Sequence, residues 1–389
     1  MKKQTVIRLI ALSFGVLIGC YALWRVIIFE KRTGYYISEL TFSGTDLYFG
    51  AGNCLYSLDV VTQDVEQLKC IRRGRVGFAR PAVNGEFVYG LSDVDALSLV
   101  AIDLSARKQA WSVDLSEASA YGPFSETSVF FKEGKVLLMG GMGLCVYDAK
   151  SGDLIQCTEA RCISIRPEQA YFGERQFICL DKAGDIGELD INTGVLQKSI
   201  EFGAAVRLDA LLYVDDSWIL GTAEDSESYP HREHIVAIDR LHPQQVAWMS
   251  EVDFSEYVFN PRVSDGRLIF CADFYATYAL DMNTGQMLWK NSSASVAEEA
   301  SADTEIMAFT VREGENSLVT ALDAISGDTL WKYELVSGGR GLSDPLVNEG
   351  VVYVGNQRTI DALDLQTGAL LWQVEVDSVY EFYVDRAGL

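Results

Sequence analysis

The sequence predicts an all-β fold, an eight-bladed β-propeller that follows an N-terminal membrane-targeting segment. Three observations carry that reading. An Asp closing an apolar stretch recurs at Asp59, Asp103, Asp148, Asp190, Asp239, Asp281, Asp323 and Asp364, at intervals of 44, 45, 42, 49, 42, 42 and 41 residues. Thr-Gly or Ser-Gly follows it at Ser151-Gly152, Thr193-Gly194, Thr284-Gly285, Ser326-Gly327 and Thr367-Gly368. Five of the seven Trp, namely Trp111, Trp248, Trp289, Trp331 and Trp372, stand eight or nine residues after the Asp. A period near 42 with β patterning is the spacing of four-stranded blades.

Each blade reads as strands A to D in order. The Asp side chain accepts backbone N–H groups across the turn between C and D, and Gly supplies the left-handed conformation that closes it. Trp at one repeat position is a packing residue between blades, not a ligand site. Upstream, Pro81 to Gly90, Pro261 to Phe270 and Pro345 to Gly355 repeat a second element, in which Pro opens the innermost strand where no ladder donor is needed. A two-residue turn then leads to strand B. Eight such units run from near Ser38 to Val376, giving a short N-terminal region, 1–35, and a propeller, 36–389. The tail from Ser378 to Leu389 has β propensity and is expected to close the ring by adding a strand to the first blade.

The N-terminal region is almost wholly apolar from Val6 to Phe29, with Lys2, Lys3 and Arg8 preceding or opening it. Two readings stand. Leu17-Ile18-Gly19-Cys20 fits a lipobox, with Cys20 taking the lipid after cleavage. Alternatively, Tyr21 to Trp24 and Val26 to Phe29 extend the run to the roughly 20 residues of a spanning helix, with Arg25 snorkelling beside Trp24. Either reading tethers the chain to a membrane.

Charge limits the partners. The formal net charge is −23, and because residues 1–35 hold six basic residues and one acidic, the remainder holds 26 basic against 54 acidic, or −28. Nucleic acid and anionic lipid need a basic footprint, so neither is an expected partner. His231, His234 and His242 fall within twelve residues near Glu224, Asp225, Glu227 and Glu233. The blade register puts His231 and His234 in a long B-to-C loop and His242 in the C-to-D turn, about 26 Å apart along an extended strand, so no three-His metal site is expected. Asp93 and Asp95 lack the Gly and distal Glu of a calcium loop. Gly140-Gly141-Met142-Gly143 precedes a strand, not the helix that a phosphate loop requires. No catalytic, cofactor-binding or metal residue is assigned.

The repeats resemble the pyrroloquinoline-quinone-type propeller repeat over nearly the whole chain after residue 35. Length and N-terminal region look most like the BamB family, the lipoprotein subunits of the outer-membrane barrel-assembly machinery. That resemblance implies a non-enzymatic, cofactor-free propeller facing the periplasm, at the outer membrane if Cys20 is lipidated and at the inner membrane if the helix is uncleaved. It implies a protein partner in the envelope, the barrel-inserting subunit. Arg340-Gly341-Leu342-Ser343-Asp344-Pro345 is similar to a partner-binding stretch of the family, which makes Arg340, Gly341, Ser343 and Asp344 candidate contacts; Gly-rich turns before Pro are also common to such blades. An envelope sensor or carbohydrate-binding propeller is the competing class. A quinoprotein enzyme is a third, but the adjacent cysteines of those enzymes are missing, and fold alone does not carry activity across.

Seven cysteines remain beyond Cys20. Counted from the turn Asp of their own blades, Cys54 and Cys70, and likewise Cys145 and Cys157, face each other across one C-to-D hairpin. Disulfides Cys54 to Cys70 and Cys145 to Cys157 are expected, with one extra residue in those two turns, and Cys162, Cys179 and Cys271 are left unassigned. An oxidising compartment makes such pairing favourable.

Overall fold

The computed structural model describes residues 40–376 apart from segments 52–53, 71–80, 93–97, 116–127, 141–142, 159–175, 181–185, 201–207, 215–216, 225–232, 243–244, 251–257, 273–275, 293–299, 314–315, 336–342 and 357–358 and positions 191, 194, 209 and 304. Among the described residues there is no helix long and apolar enough to cross a membrane.

The described strands form eight antiparallel sheets, each of consecutive strands. The first holds β1 (Thr41–Ser43), β2 (Asp46–Ala51), β3 (Cys54–Asp59) and β4 (Val65–Cys70). The second holds β5 (Ala82–Val83), β6 (Phe87–Ser92), β7 (Ser98–Asp103) and β8 (Lys108–Asp114). The third holds β9 (Ser128–Lys132), β10 (Lys135–Gly140), β11 (Gly143–Asp148) and β12 (Leu154–Thr158), and the fourth β13 (Gln176–Leu180), β14 (Ile186–Asp190) and β15 (Val195–Ile200). The fifth holds β16 (Ala210–Val214), β17 (Trp218–Glu224), β18 (Glu233–Asp239) and β19 (Val246–Met249). The sixth holds β20 (Phe259–Ser264), β21 (Arg267–Ala272), β22 (Ala276–Asp281) and β23 (Met287–Asn291). The seventh holds β24 (Ala300–Asp303), β25 (Ile306–Glu313), β26 (Asn316–Asp323) and β27 (Thr329–Leu335), and the eighth β28 (Leu346–Asn348), β29 (Val351–Asn356), β30 (Thr359–Asp364) and β31 (Leu370–Glu375).

Sequence chemistry sets the two kinds of turn. Three A-to-B hairpins turn on Glu133-Gly134, Asp265-Gly266 and Glu349-Gly350, all with positive φ at both residues. Two positive-φ residues match the right-handed twist of the flanking strands, which explains the Gly at each second position. Pro81 and Pro345 stand just before β5 and β28 as expected, whereas Pro261 lies within β20, at a register shift between Phe259 and Arg262. In the C-to-D turns, Oδ1 of Asp281 accepts the N–H of Asn283 and of Thr284, both at 2.9 Å, and Gly285 N–H donates to the Asp281 carbonyl at 2.8 Å. Asp59, Asp148, Asp323 and Asp364 repeat that pattern.

The turns of the first and third sheets are no longer than the others: Asp59 N–H reaches Asp64 O and Asp148 N–H reaches Asp153 O, as Asp281 N–H reaches Gln286 O. The expected extra turn residue is instead a β-bulge within strand D. In the sixth sheet Met287 faces Leu280 and Trp289 faces Ala279, so Leu288 is the additional residue. Ile155 is the corresponding residue of the third sheet, while in the first sheet the bulge lies two residues further along strand D, at Leu68. A bulge bends the strand and re-aims the side chain after it, and in the second, sixth, seventh and eighth sheets that side chain is the Trp.

Strands B and C are buried along nearly their whole length, as in Arg267–Ala272 and Ala276–Asp281, while D strands such as β31 are largely exposed. A strand covered on both faces needs a continuous apolar run, not alternation. The covering faces come from the neighbouring sheets. One apolar cluster joins the fifth and sixth sheets through Leu220, Trp248, Phe270 and Tyr278, another the sixth and seventh through Ile269, Phe309 and Leu318. A third joins the seventh and eighth through Val319, Trp331 and Val354. Leu47, Phe49 and Tyr56 of the first sheet pack with Tyr353 and Ile360 of the last, so the array closes on itself. The first sheet has its own four strands, and the tail expected to add one lies outside the described residues.

Candidate functional site

The candidate site is the connection that leads from β27 into β28, together with the seam between the seventh and eighth sheets that supports it. Ser343 roots this connection. Its N–H donates to the Gly355 carbonyl at 2.9 Å, its Oγ accepts the Gly355 N–H at 2.7 Å, and its hydroxyl donates to the Asp344 carbonyl at 3.0 Å. Ser343 is 2% exposed and Asp344 9%. Both residues are thus buried, and Ser343 ties this part of the chain to Gly355 of β29. Arg340 and Gly341 lie outside the described residues.

A polar stripe crosses the otherwise apolar seam between the seventh and eighth sheets. Alternation along strands puts Asn356 on the face of Val354, Asp361 on that of Leu363, Thr310 on that of Ala308 and Ser317 on that of Val319, all facing the cluster shared by the seventh and eighth sheets. All four polar residues are buried. Asp361 accepts from Gln373 Nε2 at 2.8 Å and from the Tyr333 hydroxyl at 3.4 Å. Burial raises the Tyr333 pKa above that of an ordinary phenol, and the Asp361 charge and hydrogen bond add to the shift. The phenol stays protonated and donates to the carboxylate. A buried polar network of this kind fixes the relative position of two sheets at its hydrogen-bonding geometry.

The turn aspartates carry the other electrostatic feature. Asp59, Asp103, Asp148, Asp190, Asp323 and Asp364 are held below the ordinary carboxylate range, chiefly by N–H and hydroxyl donors of their own turns. Asp239 is lowered first by His242, whose Nδ1 lies 2.9 Å from Asp239 Oδ2. His242 is thus a turn residue, and His234 is in strand β18 opposite Ala223, not in the preceding loop. His231, Asp93 and Asp95 are outside the described residues. Among the described residues no group of three potential metal ligands converges. Gly140 ends β10 and Gly143 opens β11, so a strand follows that glycine stretch.

Cys145 and Cys157 are joined by a disulfide, with Cα atoms 4.1 Å apart, and are direct partners in the β11 to β12 register. Cys54 is the register partner of Cys70 across β3 and β4 and is itself disulfide-bonded. Cys271 is a buried thiol 3.7 Å from Thr277 Oγ1. Cys20 and Cys162 lie outside the described residues, and Cys179 stands in β13 opposite Gly187.

The repeat Trp does more than fill a seam. Trp111, Trp248, Trp289 and Trp331 each donate Nε1–H to a carbonyl of the next sheet's turn, those of Ala149, Met282, Ala324 and Leu365, at 3.0, 2.9, 3.3 and 2.8 Å. Each indole also lies on that turn's glycine, Gly152, Gly285, Gly327 or Gly368, where a Cβ would collide with the ring. The conjunction of Trp with Gly-ended turns was the signal in the sequence for this contact. Between the first and second sheets, where strand D lacks Trp, Glu66 pairs instead with Arg107 of the next turn.

A family model described as outer membrane protein assembly factor BamB matches residues 231–381. The chain resembles BamB. The BamB match begins at the head of β18 and ends past β31, taking in the loop rooted by Ser343 and four of the five repeat Trp. BamB of Yersinia pestis is 29% identical over 178 residues, 42% of this chain and 45% of the relative. A tetrathionate hydrolase of Acidithiobacillus ferrooxidans is 30% identical over 117 residues, 24% of this chain and 23% of the enzyme. The chain thus spans less than half the length of either relative. Among solved structures, BamB from Moraxella catarrhalis aligns with a TM-score of 0.51 at 18% identity, covering 76% of this chain and 87% of that one. The dihydro-heme d1 dehydrogenase NirN aligns at 0.58 and 12% identity, covering 88% and 73%. At such identities both likenesses speak to the propeller fold alone.

Proposed function

We propose that this chain is a non-enzymatic propeller scaffold that holds a protein partner in the cell envelope, in a BamB-like role in outer-membrane protein assembly. The observation that carries the reading is the match of residues 231–381 to the BamB model, since that stretch contains the loop anchored by Ser343 on Gly355. Binding residues are often carried on connections between strands that a rigid scaffold positions. In this reading the stretch Arg340, Gly341, Ser343 and Asp344 forms the contact region, with Ser343 bonded to Gly355 at its base. The domain faces the periplasm and is tethered through residues 1–35, by lipid on Cys20 at the outer membrane or by an uncleaved helix at the inner membrane.

The test is affinity capture from solubilised membranes with the wild-type chain and with Arg340→Glu. Wild type should bring down the barrel-inserting subunit, and the variant should lose most of it at an unchanged melting temperature. Capture that is equal for both removes Arg340 from the interface, and failure of the wild type to capture that subunit removes the BamB-like role. Mass spectrometry of the mature N-terminus distinguishes lipid on Cys20 from an intact helix. The tetrathionate hydrolase relative supports a second reading, an enzyme on the same scaffold. A quinone-type cofactor absorbance retained by the purified protein after addition of quinone and calcium would favour it.

A further inference from the structure

Among the described residues, every exposed large apolar side chain lies in a C-to-D turn or in strand D. Six fall on three consecutive sheets, the sixth, seventh and eighth: Met287 and Leu288, Ile325 and Leu330, Leu370 and Leu371. Leu288, Leu330 and Leu371 share one repeat position, the extra residue of the strand-D bulge just before the Trp. A bulge requires an additional residue, not a large apolar one, and in the second sheet that residue is Ala110. Three leucines, each about half exposed, thus stand where neither the bulge nor the core calls for them. A lone exposed Leu is ordinary, whereas a row of them on neighbouring sheets marks an interaction surface. The row is also joined from sheet to sheet. Trp289 donates to the Ala324 carbonyl beside Ile325, Asn291 Nδ2 donates to the Gly327 carbonyl at 2.7 Å, and Trp331 donates to the Leu365 carbonyl.

We propose that the outer edge of the sixth, seventh and eighth sheets docks a cationic amphipathic helix of a protein partner. Charge selects the sign of that helix. The stretches 281–291, 323–335 and 364–375 hold six acidic residues and two lysines, and of the two, Lys290 lies over the Tyr278 ring at 4.8 Å. An apolar row framed by carboxylates fits a helix whose apolar face is flanked by Lys or Arg, and it disfavours anionic lipid. β23, β27 and β31 are the terminal strands of their sheets, but their bulges interrupt the ladder and turn strand addition away. Side chains rather than backbone therefore make the contact. Sheets packed face to face lie about 10 Å apart, so the row spans on the order of 20 Å or more, the length of a helix of about 14 residues. This surface sits at the turn end of strand D, whereas the connection rooted by Ser343 leaves β27 from its other end, so it is distinct from the contact region proposed above.

Photocrosslinking of the full chain in the cells that produce it tests the proposal. The photoreactive residue p-benzoylphenylalanine replaces Leu330 and, for comparison, the exposed Val61 of the first sheet's turn and Leu154 of the third sheet's strand D. The Leu330 site should join one protein segment, which mass spectrometry of the cross-linked peptide reads as a helix-periodic sequence with Lys or Arg beside its apolar face. Leu288→Ser combined with Leu371→Ser should cut that yield at least about tenfold, through the loss of two leucines from the interface. Asp328→Lys should cut it about threefold by setting like charges together. The melting temperature should not change in either variant, because all three side chains are exposed. A cross-link from Leu330 to a second copy of this chain, to lipid, or to an acidic or non-helical segment overturns the proposal. So does the absence of a cross-link, an equal yield from Val61 or Leu154, or a yield that the leucine variant or Asp328→Lys leaves unchanged.

Discussion

Replacing Gly368 by Ala measures what the contact between sheets is worth. Gly368 has φ +69, and a Cβ there would lie 2.6 Å from Cδ2 and 2.7 Å from Cε3 of Trp331. Trp331 is 9% exposed and donates to the Leu365 carbonyl at 2.8 Å. The left-handed backbone alone costs Ala about 1–2 kcal/mol. Moving a packed indole off its site adds about 1–3 kcal/mol of overpacking, for a total of about 2–5 kcal/mol. Gly266 is the internal control, because its φ is +71 and nothing lies within 4 Å of its Cβ position. Gly266→Ala should therefore cost only the backbone share, about 1–2 kcal/mol. Urea unfolding of both variants, with Trp331→Leu and the double variant Gly368→Ala/Trp331→Leu, gives the comparison. The double variant should lose less than the sum of the singles by about 1 kcal/mol or more, since contacting residues couple on that scale. Equal losses for Gly368→Ala and Gly266→Ala, or strict additivity in the cycle, would refute the assignment of the contact.

Other expectations follow from the same geometry. Arg107→Ala removes an ion pair whose side chains are 59% and 43% exposed, so its cost should stay within about 1 kcal/mol, well below that of Gly368→Ala in the same urea assay. Ser343→Ala leaves the Gly355 N–H without its buried acceptor and should lower stability by about 1–3 kcal/mol. Asp59, Asp103, Asp148, Asp190, Asp239, Asp323 and Asp364 have depressed pKa values, so the stability they add is full above the unfolded carboxylate pKa of about 4 and is lost as pH falls through their lower folded values. Urea midpoints should therefore be level from neutral pH to about 5 and decline below about 4, with Asp364→Asn showing a smaller decline because its oxygen still accepts while its charge is gone.

The repeat, the strands and the turns were legible in the sequence because each is a local pattern. Asp-x-x-Thr-Gly closes a hairpin through contacts two and three residues apart, as at Asp364 with Gln366 and Thr367. Cys145 and Cys157 could be set opposite each other because the same turn fixes the register of both strands. How that register arises was not legible. Whether an extra residue sits in a turn or in a bulge depends on what the bent strand packs against, and here the bulge at Leu288 delivers Trp289 to the neighbouring sheet.

By itself, then, the sequence determined an all-β repeat of about forty residues, its turn chemistry and the even distribution of its apolar strands, all governed by backbone propensity and short-range hydrogen bonds. The tertiary structure alone decided which turn each Trp rests on, that Glu66 reaches Arg107, and that Ser343 and Asp344 are buried. These contacts join residues of different repeats or of different strands, such as Trp331 and Leu365. Identical local patterns give each residue the same local conformation, but only closure of the array brings one repeat's side chain onto the next repeat's backbone.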